Sequence, residues 1–227
     1  MELTYDDLPG LMTRMTGDEK HAPSATSTLD VLWVAYDRIL NVTPSTANDA
    51  DRDRFLLSKG HGPVAYYAVL AAKGFVPQFW LDDFGSIASR LGYHPDHNLI
   101  PGVEISSGSL GHGLPLAAGM AHGLRAQALM SPRVFVLLGD AELDEGSNHE
   151  AIAYAGAIGL PNLTAIVVDN QSSSHGWPGG IASRFQVNGW STVTIDGRSH
   201  DQIADALSKR PTDRPHVVVA VVEPKDS

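Results

Sequence analysis

Two short apolar runs, Val134-Phe135-Val136-Leu137-Leu138 and Leu163-Thr164-Ala165-Ile166-Val167-Val168, constrain this 227-residue chain more than any other feature. Each is too short for a buried helix and rich in β-branched residues, and a helical stretch around 148–158 separates them, so they predict a parallel βαβ unit. A strand over 191–195, a helix from about 201 to 209 and a β-branched run over 217–222 continue the alternation. The fold class that follows is α/β, a mostly parallel sheet with helices on both faces, because strands without a polar face need a layer on each side.

Upstream, Leu29, Leu32, Trp33, Tyr36, Ile39 and Leu40 recur at spacings of three and four, which predicts an amphipathic helix capped near Ser27 or Thr28. Ser58-Lys59-Gly60-His61-Gly62 leads into Pro63 and an apolar run that stops at Gly74, a loop feeding a helix N-terminus. Residues 43–54 and 92–113 read as loops, and 114–127 as a closely packed Ala/Gly-rich helix. Residues 1–20 are expected to form an arm or a short helix that packs on something else. No repeat or linker divides residues 1–227, so a single domain is expected.

With no cysteine there is no disulfide and no thiolate metal site, so any metal must be held by oxygen or imidazole. A net charge of −10 argues against nucleic acid as a partner. No run approaches the roughly 18 apolar residues of a membrane span, and Met1 to Asp7 lacks the pattern of a signal peptide, so a cytoplasmic protein is expected. Most of the ten histidines lie beside Gly or Pro in loop-like segments, a first hint of a site.

Ligands of open parallel sheets bind beyond the carboxyl ends of the strands, and two successive strands here end at Asp140 and Asn170. A carboxylate, an amide oxygen and a backbone carbonyl from the turn after Asn170 suit Mg²⁺, which shares its shell with phosphate oxygens. A diphosphate is therefore the expected ligand. Gly108, Gly111, Gly113 and Gly139 would let backbone N–H groups approach it, and His61 can donate to it as well. Singly, an Asp or Asn after a strand is an ordinary turn or cap residue; order and spacing together point to a site.

The run Gly139-Asp140-Ala141-Glu142-Leu143-Asp144-Glu145-Gly146, followed about thirty residues later by Val168-Asp169-Asn170-Gln171, resembles the thiamine-diphosphate motif of the transketolase family. Ser58-Lys59-Gly60-His61-Gly62, His94-Pro95, Gly102-Val103-Glu104 and Gly108-Ser109-Leu110-Gly111-His112-Gly113 resemble further family blocks in the same order, and the likeness runs over about residues 15–205. It implies Mg²⁺ ligation by Asp140, Asn170 and the carbonyl of Ser172. It also implies diphosphate contact from His61 and the backbone at Gly139 and Ala141, and cofactor contact from the backbone of Gly108 and Leu110. His21 and His94 match positions that meet a sugar or sugar-phosphate substrate, although a surface histidine explains His21 equally, since Lys20 and Ala22 depart from the family pattern. Glu145 matches a carboxylate of a proton relay at the subunit contact; a first-turn glutamate favoured by the helix dipole gives the same residue.

The likeness stops after the first of the family's three domains. The chain thus resembles the N-terminal subunit of a split transketolase, which shares thiamine diphosphate with the pyrimidine-binding domain of a C-terminal partner subunit in a heterotetramer, without nucleic acid or membrane. Such an enzyme moves a two-carbon ketol unit from a ketose to an aldose. The alternatives are a deoxyxylulose-phosphate-synthase-like or ketoacid-decarboxylating enzyme, or a noncatalytic scaffold subunit. Four departures stand out: Ala141 and Gln171 replace common family residues, the segment 172–180 is short, and the tail from Val221 to Lys225 lacks the usual ending. His175 and Trp177 lie in the shortened segment, where Trp177 covers the site, docks the partner or makes a local turn.

Overall fold

The computed structural model describes residues 3–17 and 22–224. Among the described residues five strands form one sheet: β1 (Arg54–Leu57), β2 (Val134–Gly139), β3 (Leu163–Asp169), β4 (Ser191–Asp196) and β5 (His216–Val221). Their order is β1-β2-β3-β5-β4 and every pairing is parallel, with Leu57 beside Leu137 and Gly139 beside Val168. The α/β expectation holds, and the sheet has one strand more than the apolar runs announced. β1 escapes the periodicity because it is four residues long and runs straight into Ser58-Lys59-Gly60.

Alternate residues of each strand face opposite layers. Phe55, Leu57, Phe135, Leu137, Ile166, Val168, Val218 and Ala220 pack with α1 (Leu8–Met12), α2 (Ala22–Val34), α3 (Val64–Ala72) and α7 (His200–Ser208). Leu56, Val136, Leu138, Ala165, Val167, Val217 and Val219 pack with α4 (Gly113–Ala126), α5 (Gly146–Ile158) and α6 (Gly180–Gln186). Leu8, Leu11 and Met15 are buried in the first of these cores, so the N-terminal segment packs on the chain's own helices, α1 against α3.

The helix expected from Thr28 begins earlier, at Ala22, and Ser27 and Thr28 are interior residues of it rather than caps; the Thr28 hydroxyl donates to Ala25 O at 3.0 Å. The helix then widens into a π-type turn over Ala35–Ile39, which Leu40 N–H closes onto Ala35 O at 2.9 Å. No described helix is long and apolar enough to cross a membrane.

Candidate functional site

Ser58, Asp140 and Asn170 follow β1, β2 and β3 at the carboxyl edge of the sheet, and all three are buried. Asp140 caps the short 3₁₀ turn Ala141–Asp144. Its Oδ1 accepts from Ala141 N–H at 2.9 Å and from Ser172 Oγ at 2.7 Å, and its Oδ2 from the N–H groups of Ser172 at 2.7 Å and Ser173 at 3.2 Å. The carboxylate thus draws the segment after β3 back over the end of β2. Gln171 makes that reversal by adopting a left-handed φ of 56°. Burial pushes the neighbouring Asp169 carboxyl above its ordinary range, and the Asp140 charge adds to the rise.

Asn170 Oδ1 is buried with no hydrogen-bond partner among the described residues. A buried amide oxygen left without a donor costs free energy unless something else completes it. No group of three or more His, Asp or Glu side chains among the described residues is placed to hold a metal. A cation here would therefore take a mixed set of carboxylate, amide and carbonyl oxygens, the set a hard ion accepts.

The loops around this edge interlock. Gly113, the first residue of α4, lies so close to Ser58 that a Cβ there would come within 2.2 Å of the serine side chain. Gly108, at φ 136°, lies under the His94 ring, which a Cβ would meet at 2.8 Å, so both its backbone angle and its packing exclude a side chain. His94 and His61 stand edge to face with ring centroids 5.3 Å apart. His61, His94 and Gly108 thus come together from two segments, beside the N-termini of α3 and α4, which favour negative charge, and Leu110 follows Gly108 by two residues.

Ala141 lies in the 3₁₀ turn, and positive φ among described non-glycine residues falls only at Ala128 and Gln171, so replacing a glycine at 141 imposes no strain. Gly139 closes β2 against the Lys59 stem. Glu145 is the exposed N-cap of α5, beside Gly111. His175 is exposed; Trp177 is 39% exposed, with the Arg184 guanidinium over its ring at 5.1 Å and the His149 ring 5.8 Å from it. His175, Trp177 and Arg184 line, with Asp140 and Asp144, a cavity of about 240 Å³. His21 lies outside the described residues. Glu142, which the sequence motif carries without a role of its own, is buried among the same loops.

Residues 16–222 match the family described as transketolase, thiamine diphosphate binding domain. The chain belongs to the transketolase family. It is 60% identical over 221 residues to "Ferredoxin fas2" of Rhodococcoides fascians, covering 97% of this chain and 73% of that one. It is 35% identical to one of the subunits of the apulose-4-phosphate transketolase of Actinobacillus succinogenes, covering 88% of this chain and 75% of that one. A solved transketolase from Pichia stipitis superposes with a TM-score of 0.76 at 25% identity over 91% of this chain. The chain spans 36% of that transketolase.

Proposed function

We propose that this chain is the N-terminal, cofactor-anchoring subunit of a two-chain transketolase-like enzyme, a transferase that moves a two-carbon ketol unit from a ketose to an aldose. The observation that carries the reading is the pair Asp140 and Asn170 at the ends of adjacent strands, with the buried Asn170 Oδ1 left without a partner among the described residues. Relatives whose names make them single subunits of transketolases support the division into two chains. In this reading a C-terminal subunit supplies the pyrimidine-binding domain, two copies of each chain form a heterotetramer, residues 1–227 are one domain, and the enzyme works in the cytoplasm.

The oxygen donors fit Mg²⁺: Asp140, Asn170 and the Ser172 carbonyl would hold it. His61 and the backbone at Gly139 and Ala141 would bind the diphosphate, and the backbone of Gly108 and Leu110 the rest of the cofactor. Thiamine diphosphate, when bound, supplies the carbanion chemistry that breaks and forms the carbon–carbon bond. His94 and His21 orient the sugar by donating to its hydroxyls, and Glu145 faces the subunit contact as a proton carrier. The test is product analysis on this chain purified with its partner. A ketose and an aldose should yield an aldose two carbons shorter than the donor and a ketose two carbons longer than the acceptor.

One observation favours a second reading: the relative at 60% identity is named a ferredoxin. In this reading the enzyme decarboxylates a 2-oxoacid, oxidises the unit that remains to an acyl group released to water or a thiol, and passes the two electrons to an iron–sulfur partner. These 227 residues contain no cysteine, so the thiolates of such a cluster must lie elsewhere. Carbon dioxide released from pyruvate with reduction of ferredoxin, and no ketol transfer, would establish this reading over the first.

A further inference from the structure

Glu142 is a 2% exposed carboxylate at the centre of the loops that the proposed function uses. Its Oε1 accepts from Ser58 Oγ and from Gly111 N–H at 2.9 Å, and its Oε2 from Gly139 N–H at 3.4 Å. Ser58 Oγ in turn accepts from Gly113 N–H at 2.9 Å, so its one proton is committed to Glu142. The Glu142 carbonyl accepts from the buried Asn148 Nδ2 at 2.6 Å, which fixes the glutamate's own turn to α5.

The three donors come from three separate segments. Ser58 follows β1 three residues before His61, Gly111 follows Leu110, and Gly139 precedes Asp140. One carboxylate accepts from all three at once. An amide of the same size offers a single accepting oxygen and turns an NH₂ toward a group that itself donates.

We infer that Glu142 is a positioning residue that aligns the segments carrying His61, Leu110 and Asp140 before the cofactor arrives. The inference rests on the reading that these segments take thiamine diphosphate. Loops already in their bound arrangement lose less freedom on binding, so the alignment acts on cofactor affinity.

The test measures the Kd of thiamine diphosphate at saturating Mg²⁺, by equilibrium dialysis, on this chain assembled with its native partner. Wild type, Glu142→Gln, Ser58→Ala and the double variant are compared. Glu142→Gln is expected to weaken binding about 10–100-fold, the range for groups that orient a binding shell. Ser58→Ala is expected to weaken it roughly threefold, as for one lost hydrogen bond, and the double variant should bind no worse than Glu142→Gln alone, because Ser58 acts through the carboxylate. Hydrogen exchange at the amides of Gly111, Gly113 and Gly139 should quicken in Glu142→Gln while those of β3 and β5 keep their rates, a separation that general destabilisation would not produce. Wild type that binds cofactor beside a Glu142→Gln variant with unchanged Kd overturns the inference alone; wild type that binds none overturns the functional reading and this inference with it. Should Glu142→Gln not fold, unchanged affinity in Ser58→Ala overturns the inference.

Discussion

The two ends of the β1–β2 pair treat a buried carboxylate in opposite ways. At the amino end Asp53 is 3% exposed and meets Arg133: Oδ1 accepts from Arg133 N–H at 2.8 Å and Oδ2 from Arg133 Nη2 at 2.8 Å, with Asn41 N–H at 3.0 Å. The guanidinium also donates to Ile39 O at 2.6 Å and lies over the Phe135 ring. Carboxylate and guanidinium there satisfy each other within the chain. At the carboxyl end Asp140 and Glu142 accept from backbone N–H and hydroxyl groups, and Asn170 Oδ1 accepts from nothing described. The first arrangement closes the fold, whereas the second leaves one buried acceptor, Asn170 Oδ1, for a ligand to complete.

The largest effect should come from breaking the closed end. Asp53→Ala leaves the Arg133 guanidinium, 11% exposed, without its anion, and should cost about 3–5 kcal/mol in a denaturant titration. Cofactor affinity of the folded fraction should stay at the wild-type value. Asp140→Ala should do the reverse in the assembled enzyme, with Mg²⁺-dependent affinity for thiamine diphosphate falling about 100-fold, or roughly 2.7 kcal/mol. Its denaturation midpoint should also fall, because four donors lose their acceptor, but by less than that of Asp53→Ala, and chelation of Mg²⁺ from wild type should reproduce the affinity loss.

A smaller, pH-dependent effect belongs to His216, which begins β5 with Nδ1 3.1 Å from Ser191 O. Burial holds its pKa below the ordinary 6.5. The unfolded chain therefore binds the proton more tightly, and the histidine's contribution is present above pH 6.5 and lost as the pH falls through and below it. His216→Leu should flatten the fall in stability between about pH 7 and pH 5. The smallest effect sharpens the carboxyl end: Gln171→Asn puts a residue tolerant of left-handed backbone at φ 56°, and should raise stability by about 0.5 kcal/mol in thermal melts.

Much of this was legible in the chain because burial on both faces makes β2 and β3 continuous apolar runs, and a strand's last residue locates the site edge by itself. Asp140 and Asn170 follow directly from that. α6 was hidden by its seven-residue length, as β1 was by its four. The role of Glu142 depends on Ser58, 84 positions away, and on Gly111, 31 positions away, so no local pattern marks it. Its one sequence signal is an acidic residue directly before Leu143 in a turn that has to be buried. The opposed pair of Asp53 and Arg133, 80 positions apart, was equally invisible until β1 and β2 were seen to be neighbours.

The most direct test of the carboxyl end as half of a shared cofactor site is to isolate the chain from its native extract under mild conditions. Its companions would be sequenced and bound thiamine diphosphate and Mg²⁺ quantified in the same sample. The account predicts a second polypeptide carrying a pyrimidine-binding domain, present in equal amount, with cofactor and metal bound. Self-association of this chain without cofactor would contradict it and point to a noncatalytic scaffold.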